Sequence, residues 1–214
     1  MSPRIFISMG TPYRDDQLRF RDELESFLRN ECGTDPRIIG KNEYPAGNPL
    51  TKIKEVMSAC DGVVVVAYER KLLSTGIERR GGSAEKPLED LSYTTPWNHV
   101  ESALAFALNL PLYIICEHNL AEEGLIESKL DWYVQRVHID PAEFTRPNVR
   151  ESLRTWVEQR VRAKARGLKS LRSFTGKFKF SEMTPEELGW FFGSLAAAFG
   201  AGVIVTKASQ AFFH

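Results

Sequence analysis

Short apolar runs alternate with amphipathic stretches along the first 160 residues. Arg4-Ile-Phe-Ile-Ser-Met9 has the length and composition of a buried strand, and the turn Gly10-Thr-Pro-Tyr13 ends it. From Asp16 to about Asn30, Phe20, Leu24, Phe27 and Leu28 recur at helical spacing beneath a charged face, with Gly33 and Pro36 beyond the end. A brief Arg37-Ile-Ile39 segment, a turn-rich stretch through Gly47 and a helix from about Leu50 to Ala59 follow. Gly62-Val-Val-Val-Val-Ala-Tyr68 holds four consecutive valines without alternation, the pattern of a central parallel strand buried on both faces.

Residues 70–95 carry charges, Gly81-Gly82 and Pro87 without a sustained period, which predicts a long loop of the lid or binding type. Thr95-Pro96 reads as an N-cap with proline in the first helical position. The helix it opens runs to about Leu108, with Val100, Ala103, Leu104, Ala107 and Leu108 as its expected buried face. Pro111 to Cys116 reads as a strand, Glu122 to Tyr133 as a helix, Val137-His-Ile139 as a short last strand and Asn148 to Ala165 as a helix. Strands alternating with helices predict an α/β fold, a flavodoxin-like five-stranded parallel sheet with helices on both faces.

Charge divides what the hydrophobic pattern leaves continuous. The 214 residues hold 28 basic and 28 acidic side chains, yet residues 1–159 carry 19 Lys/Arg against 25 Asp/Glu. Between Arg160 and Lys179 lie eight cations and no acid. Residues 188–205 then contain no charge, and eighteen residues at ~1.5 Å each give a helix of ~27 Å, close to the ~30 Å hydrocarbon core. The expected organisation is an α/β domain over 1–159, a basic linker over 160–184 and an apolar helix over 185–214. Cations before the apolar run fit a domain kept in the cytoplasm and anchored to a membrane at its C-terminal end. Gly189, Gly193 and Ala197 at four-residue spacing equally fit close helix contact in a homo-oligomer. Placed beside such a segment, the basic stretch is not expected to bind nucleic acid. Cys32, Cys60 and Cys116 lack CxxC spacing, so neither a disulfide framework nor a metal site is expected, and no secretion signal opens the chain.

In a sheet of this kind the ligand crevice lies outside the carboxyl ends of the strands. That rule selects Ser8 to Tyr13, Tyr68 to Arg70 and the start of the helix at Trp97. GxGxxG and GxxxxGK[ST] are absent, which argues against a dinucleotide-binding Rossmann site and a P-loop. In Trp97-Asn-His-Val-Glu101 the indole and the carboxylate share a helical face, which on periodicity alone also describes a surface glutamate beside a core aromatic. Arg70, Arg79 and Arg80 have the fork geometry to meet a phosphate, or stand on a solvated loop. His99, His118 and His138 are dispersed without ligand spacing.

Together the opening strand, the charged helix, the segment Met57 to Ala67 and Trp97-x-x-x-Glu101 resemble the Toll/interleukin-1 receptor (TIR) domain family over residues 4–159. The resemblance implies a catalytic Glu101 that splits NAD at the nicotinamide N-glycosidic bond, with NAD as substrate and no cofactor. It implies a substrate site at Gly10, Thr11, Pro12, Tyr13 and Trp97, to which position at the end of the strand over 62–68 adds Tyr68 and Arg70 as expected lining, and a defence or signalling effector activated by assembly. Ser8-Met-Gly-Thr-Pro-Tyr13 departs from the usual TIR loop and is closer to the nucleoside 2-deoxyribosyltransferase family, which has the same layout and a catalytic glutamate. That second resemblance implies an N-glycoside hydrolase or transferase acting on nucleosides or nucleotides. A non-catalytic nucleotide-binding or TIR signalling module is the third expectation.

Overall fold

The computed structural model describes residues 2–44, 47–127 and 133–167. Five parallel strands form one sheet: β1 (Arg4–Met9), β2 (Asp35–Arg37), β3 (Gly62–Ala67), β6 (Leu112–Glu117) and β7 (Tyr133–Val137), in the order β2-β1-β3-β6-β7. Helices α1 (Asp15–Ser26), α2 (Pro49–Ser58), α3 (Pro96–Ala107) and α4 (Pro147–Trp156) supply the crossovers and flanks. Two further strands, β4 (Lys71–Glu78) and β5 (Lys86–Tyr93), form a separate antiparallel ribbon. With that ribbon set aside the order is the flavodoxin-like one expected from the sequence.

The four valines explain the layering. Successive side chains of a strand point to opposite faces, so Val64 and Val66 enter one core with Ile5, Ile7, Tyr113 and Ile115. Val63 and Val65 enter the other with Phe6, Ile114 and Cys116. Phe20 and Leu24 of α1 and Val149, Leu153 and Trp156 of α4 close the first core. Ile53, Val56 and Met57 of α2 and Ala105 of α3 close the second. From β1 the chain passes to β2 on one side and then to β3 on the other. The order of the sheet therefore reverses between β1 and β3, and their carboxyl ends flank the crevice that such a reversal opens.

Four expectations need correction. Residues 70–95 are a hairpin and not a loop: Leu73 pairs with Leu91 and Ile77 with Pro87 across a turn containing Gly81 at φ +78°. Pro87 and the positive φ of Asp90 break the alternation that would have marked β5 in the sequence. Glu122 to Tyr133 is no single helix, since Gly124–Ile126 forms one 3-10 turn and Tyr133 begins β7. The last strand is thus Tyr133–Val137, four residues ahead of the expected Val137 to Ile139.

The fourth correction concerns α3. Its buried residues are Asn98, Glu101, Ser102 and Ala105, whereas Val100, Ala103 and Ala107 are exposed and Leu104 and Leu108 only half-buried. The helix turns a polar stripe inward because its first two turns stand over strand ends, where carbonyl and hydroxyl groups need partners.

The described residues up to Arg166 belong to one compact unit. Arg160, Arg162 and Lys164 of the basic stretch thus belong to the folded domain, and the Arg162 guanidinium donates to the Cys32 carbonyl at 2.6 Å. The apolar run 188–205 lies outside the described residues. Among the described residues no helix is long and apolar enough to cross a membrane.

Candidate active site at the carboxyl ends of β1 and β3

The Thr95 hydroxyl accepts from the Trp97 amide at 3.4 Å and Pro96 opens α3, so its first turn is fixed as the sequence predicts. One residue on, Asn98 Nδ2 donates to Ser8 Oγ at 3.2 Å, with the carbonyl oxygens of Val66 and Ser8 at 3.4 and 3.5 Å. These bonds join the start of α3 to the carboxyl ends of β1 and β3. Glu101 follows three residues later on the same face and is 8% exposed.

Burial pushes the Glu101 carboxyl up to about 7, opposed by a hydrogen bond from the Ser8 hydroxyl. Burial and that hydroxyl are the two influences on it, and no charged neighbour is among them. The positive end of the α3 dipole favours the ionised form, and desolvation opposes it. Near neutrality the group is therefore present both as acid and as carboxylate.

The loop after β1 converges on the same place. The Tyr68 hydroxyl donates to the Gly10 carbonyl, and a Cβ at Gly10 would meet Tyr68 Oη at 3.4 Å and Thr95 Cγ2 at 3.5 Å. Tyr68 is buried, and its hydroxyl holds the loop. The Tyr13 hydroxyl donates to the Glu69 carbonyl at 2.8 Å, while the Tyr13 and Arg14 amides donate to Gln17 Oε1 at 3.0 and 3.4 Å. Thr11 is exposed and Pro12 half-buried between them.

Arg70 lies with its guanidinium 5.4 Å from the centre of the Tyr13 ring, and Arg14 lies at 5.7 Å. Both distances are in the range of cation–π attraction. Arg14 is also paired with Asp16 and Glu117, each at 3.2 Å. Among the described residues Arg70 makes no ion pair. Arg79 and Arg80 occupy the far turn of the ribbon, eight strand residues or roughly 26 Å beyond Arg70, and do not share its place.

Trp97 is 47% exposed, one helical turn before Glu101, so it is not the core anchor that periodicity also allowed. His118 and His138 are brought together at the ends of β6 and β7, ring centres 4.6 Å apart. Glu117 accepts from the Glu69 amide at 2.6 Å and Glu69 in turn accepts from Ser92 Oγ at 2.6 Å, which fastens the ribbon to the sheet.

Of the residues selected from sequence, Gly10, Tyr68 and the cap of α3 meet directly, and Tyr13 and Arg70 meet each other. Ser8 stood at the head of the selected segment Ser8 to Tyr13, but Thr94 and Asn98 were not selected, although polar residues at 94, 98, 101 and 102 recur at helical spacing opposite the aliphatic stripe. Among the described residues no group of three or more His, Cys, Asp and Glu is placed to hold a metal ion.

Fold and site together define an α/β protein of flavodoxin-like order with one buried carboxyl at its topological switch point. No protein-family model matches the chain, and no curated protein does. Among solved structures it is similar to the CMP N-glycosidase BcmB of Clostridium botulinum, at 13% identity over 66% of this chain and 93% of that chain, with a TM-score of 0.42.

Proposed function

We propose that the chain cleaves the N-glycosidic bond of a nucleotide or nucleoside, with Glu101 as the group that meets the sugar. The observation that carries this reading is a buried carboxyl, balanced between acid and carboxylate near neutral pH, held by Ser8 beside the loop at Gly10. As the bond to the base lengthens, positive charge develops on the sugar, and a carboxylate set against it stabilises that charge or attacks the carbon. Water then completes hydrolysis, or a second base completes transfer. Low surrounding polarity strengthens the attraction. The half-exposed Trp97 suits stacking on a flat base, and Arg70 with Tyr13 suits a phosphate or ribose at the rim.

A second reading narrows the substrate to NAD. The observation favouring it is that, among the described residues, burial and the Ser8 hydroxyl are what act on Glu101, with no charged partner beside it. Nicotinamide in NAD is cationic and departs neutral without a proton, whereas other bases leave more readily when protonated. This is the chemistry implied by the TIR resemblance, together with activation by assembly in signalling or defence.

The test is to incubate the purified protein with NAD, nucleoside monophosphates, nucleosides and deoxynucleosides, and to follow free base by chromatography. Release from nucleotides or nucleosides with NAD spared supports the first reading, and release of nicotinamide supports the second. Tight binding with no turnover of any of them contradicts both and assigns a sensing module.

A further inference from the structure

A chain of buried polar side chains leads from the loop before α3 to Glu101. Thr94, Asn98 and Ser8 are all buried. The carbonyl oxygens of Val66 and Ser8 can only accept, so the end of the Asn98 amide that faces them at 3.4 and 3.5 Å is Nδ2, which also donates to Ser8 Oγ at 3.2 Å. The Oδ1 end then faces Thr94, whose Oγ1 donates to it at 2.7 Å. A hydroxyl that accepts from one side has a single proton left to place, and Glu101 receives it.

We propose that Asn98 is a positioning residue that acts through Ser8: by donating to Ser8 Oγ it makes that hydroxyl a donor to Glu101 and so favours the ionised carboxylate that the sugar needs. The inference rests on Glu101 being the reacting group. With the Asn98 donor gone the Ser8 hydroxyl is free to rotate. A rotated hydroxyl offers a lone pair, which suits only the protonated acid. Burial already favours the acid, so this donor chain is the counterweight within the site. No charged side chain from β1, β3 or α3 shares the task. Packing alone does not require an amide at this position: Ala105, seven residues on along the same face, meets the sheet with an apolar side chain.

The test follows the 13C signal of the Glu101 carboxyl through a pH titration, assigned by its disappearance in Glu101→Gln. Wild type, Ser8→Ala, Asn98→Ala and the double variant are compared, with kcat and KM for base release measured in parallel. Each single variant is expected to raise the titration midpoint by about one pH unit, the acid limb of kcat moving with it and KM staying within about threefold. The double variant is expected to match Ser8→Ala, because Asn98 acts through Ser8. An unmoved midpoint in Asn98→Ala, or shifts that add fully in the double variant, overturns the proposal. If Asn98→Ala does not fold, Thr94→Val leaves Asn98 in place but frees its amide, and a rise of the midpoint supports the proposal while no change counts against it. The titration needs no substrate. Midpoints that move as described without any base release contradict the proposed activity alone, and base release with unmoved midpoints contradicts the positioning role alone.

Discussion

Glu101 binds its proton more tightly in the folded chain than in the unfolded one, since burial lifts it from 4.5 to about 7. The protonated form therefore contributes stability that is fully present below about pH 4.5 and is lost as pH rises to about 7. Glu101→Gln, neutral at every pH, escapes that loss. The variant is expected to gain on the order of 3 kcal/mol relative to wild type between pH 4.5 and pH 8. Denaturant unfolding at both pH values measures it, and an equal difference at the two would show that the carboxyl is not strained by burial. WxxxE made Glu101 and Trp97 legible in the sequence, but not which of them is covered. Thr94 and Asn98 escaped notice because polar residues at and just before the start of a helix ordinarily mark solvent, and here they mark strand ends.

β3 was the most legible element, because four valines in succession have only a doubly covered strand to occupy. Its first residue is constrained from outside the sheet: a Cβ at Gly62 would lie 2.8 Å from Val161 Cγ2 and 3.2 Å from the Trp156 ring. Gly62→Ala is expected to destabilise the fold by roughly 1–3 kcal/mol through overpacking, read by denaturant unfolding, with base release per folded molecule unchanged. The ribbon of β4 and β5 behaves in the opposite way. Its strands pair with each other and pack chiefly on each other, while Leu72 and Ile77 remain exposed. Joining Leu73 to Leu91 by an Asn-Gly turn is expected to leave the melting temperature within about 3 °C of wild type, and a fall beyond about 10 °C would mean that the ribbon supports the core. The ribbon was not legible because a two-stranded hairpin with both faces wet needs no hydrophobic period. The buried stripe of α3 was misread for a related reason: its aliphatic residues are the more regular set, yet the strand ends beneath its first turns require polar partners.

For the molecule as a whole, the sheet order followed from strands alternating with helices, and the place of the site followed from that order. What lay beyond periodicity was the convergence of three separate loops on Gly10, because no local signal records which distant side chains fill a crevice. With the cations from Arg160 to Arg166 inside it, the folded domain is nearly balanced, at 23 basic against 25 acidic side chains, and the uncharged run at 188–205 lies outside the described residues. If that run enters a membrane, a tagged full-length chain is expected to stay with the membrane fraction through a carbonate wash, and extraction by carbonate would contradict a spanning helix. The account depends most on the chemistry assigned to one side chain. Free base released per minute by the wild-type protein and by Glu101→Gln, compared at pH 7 with folding verified by circular dichroism, tests it most directly. The expected result is a loss of about 10²–10⁴-fold in the variant, and equal rates would contradict it.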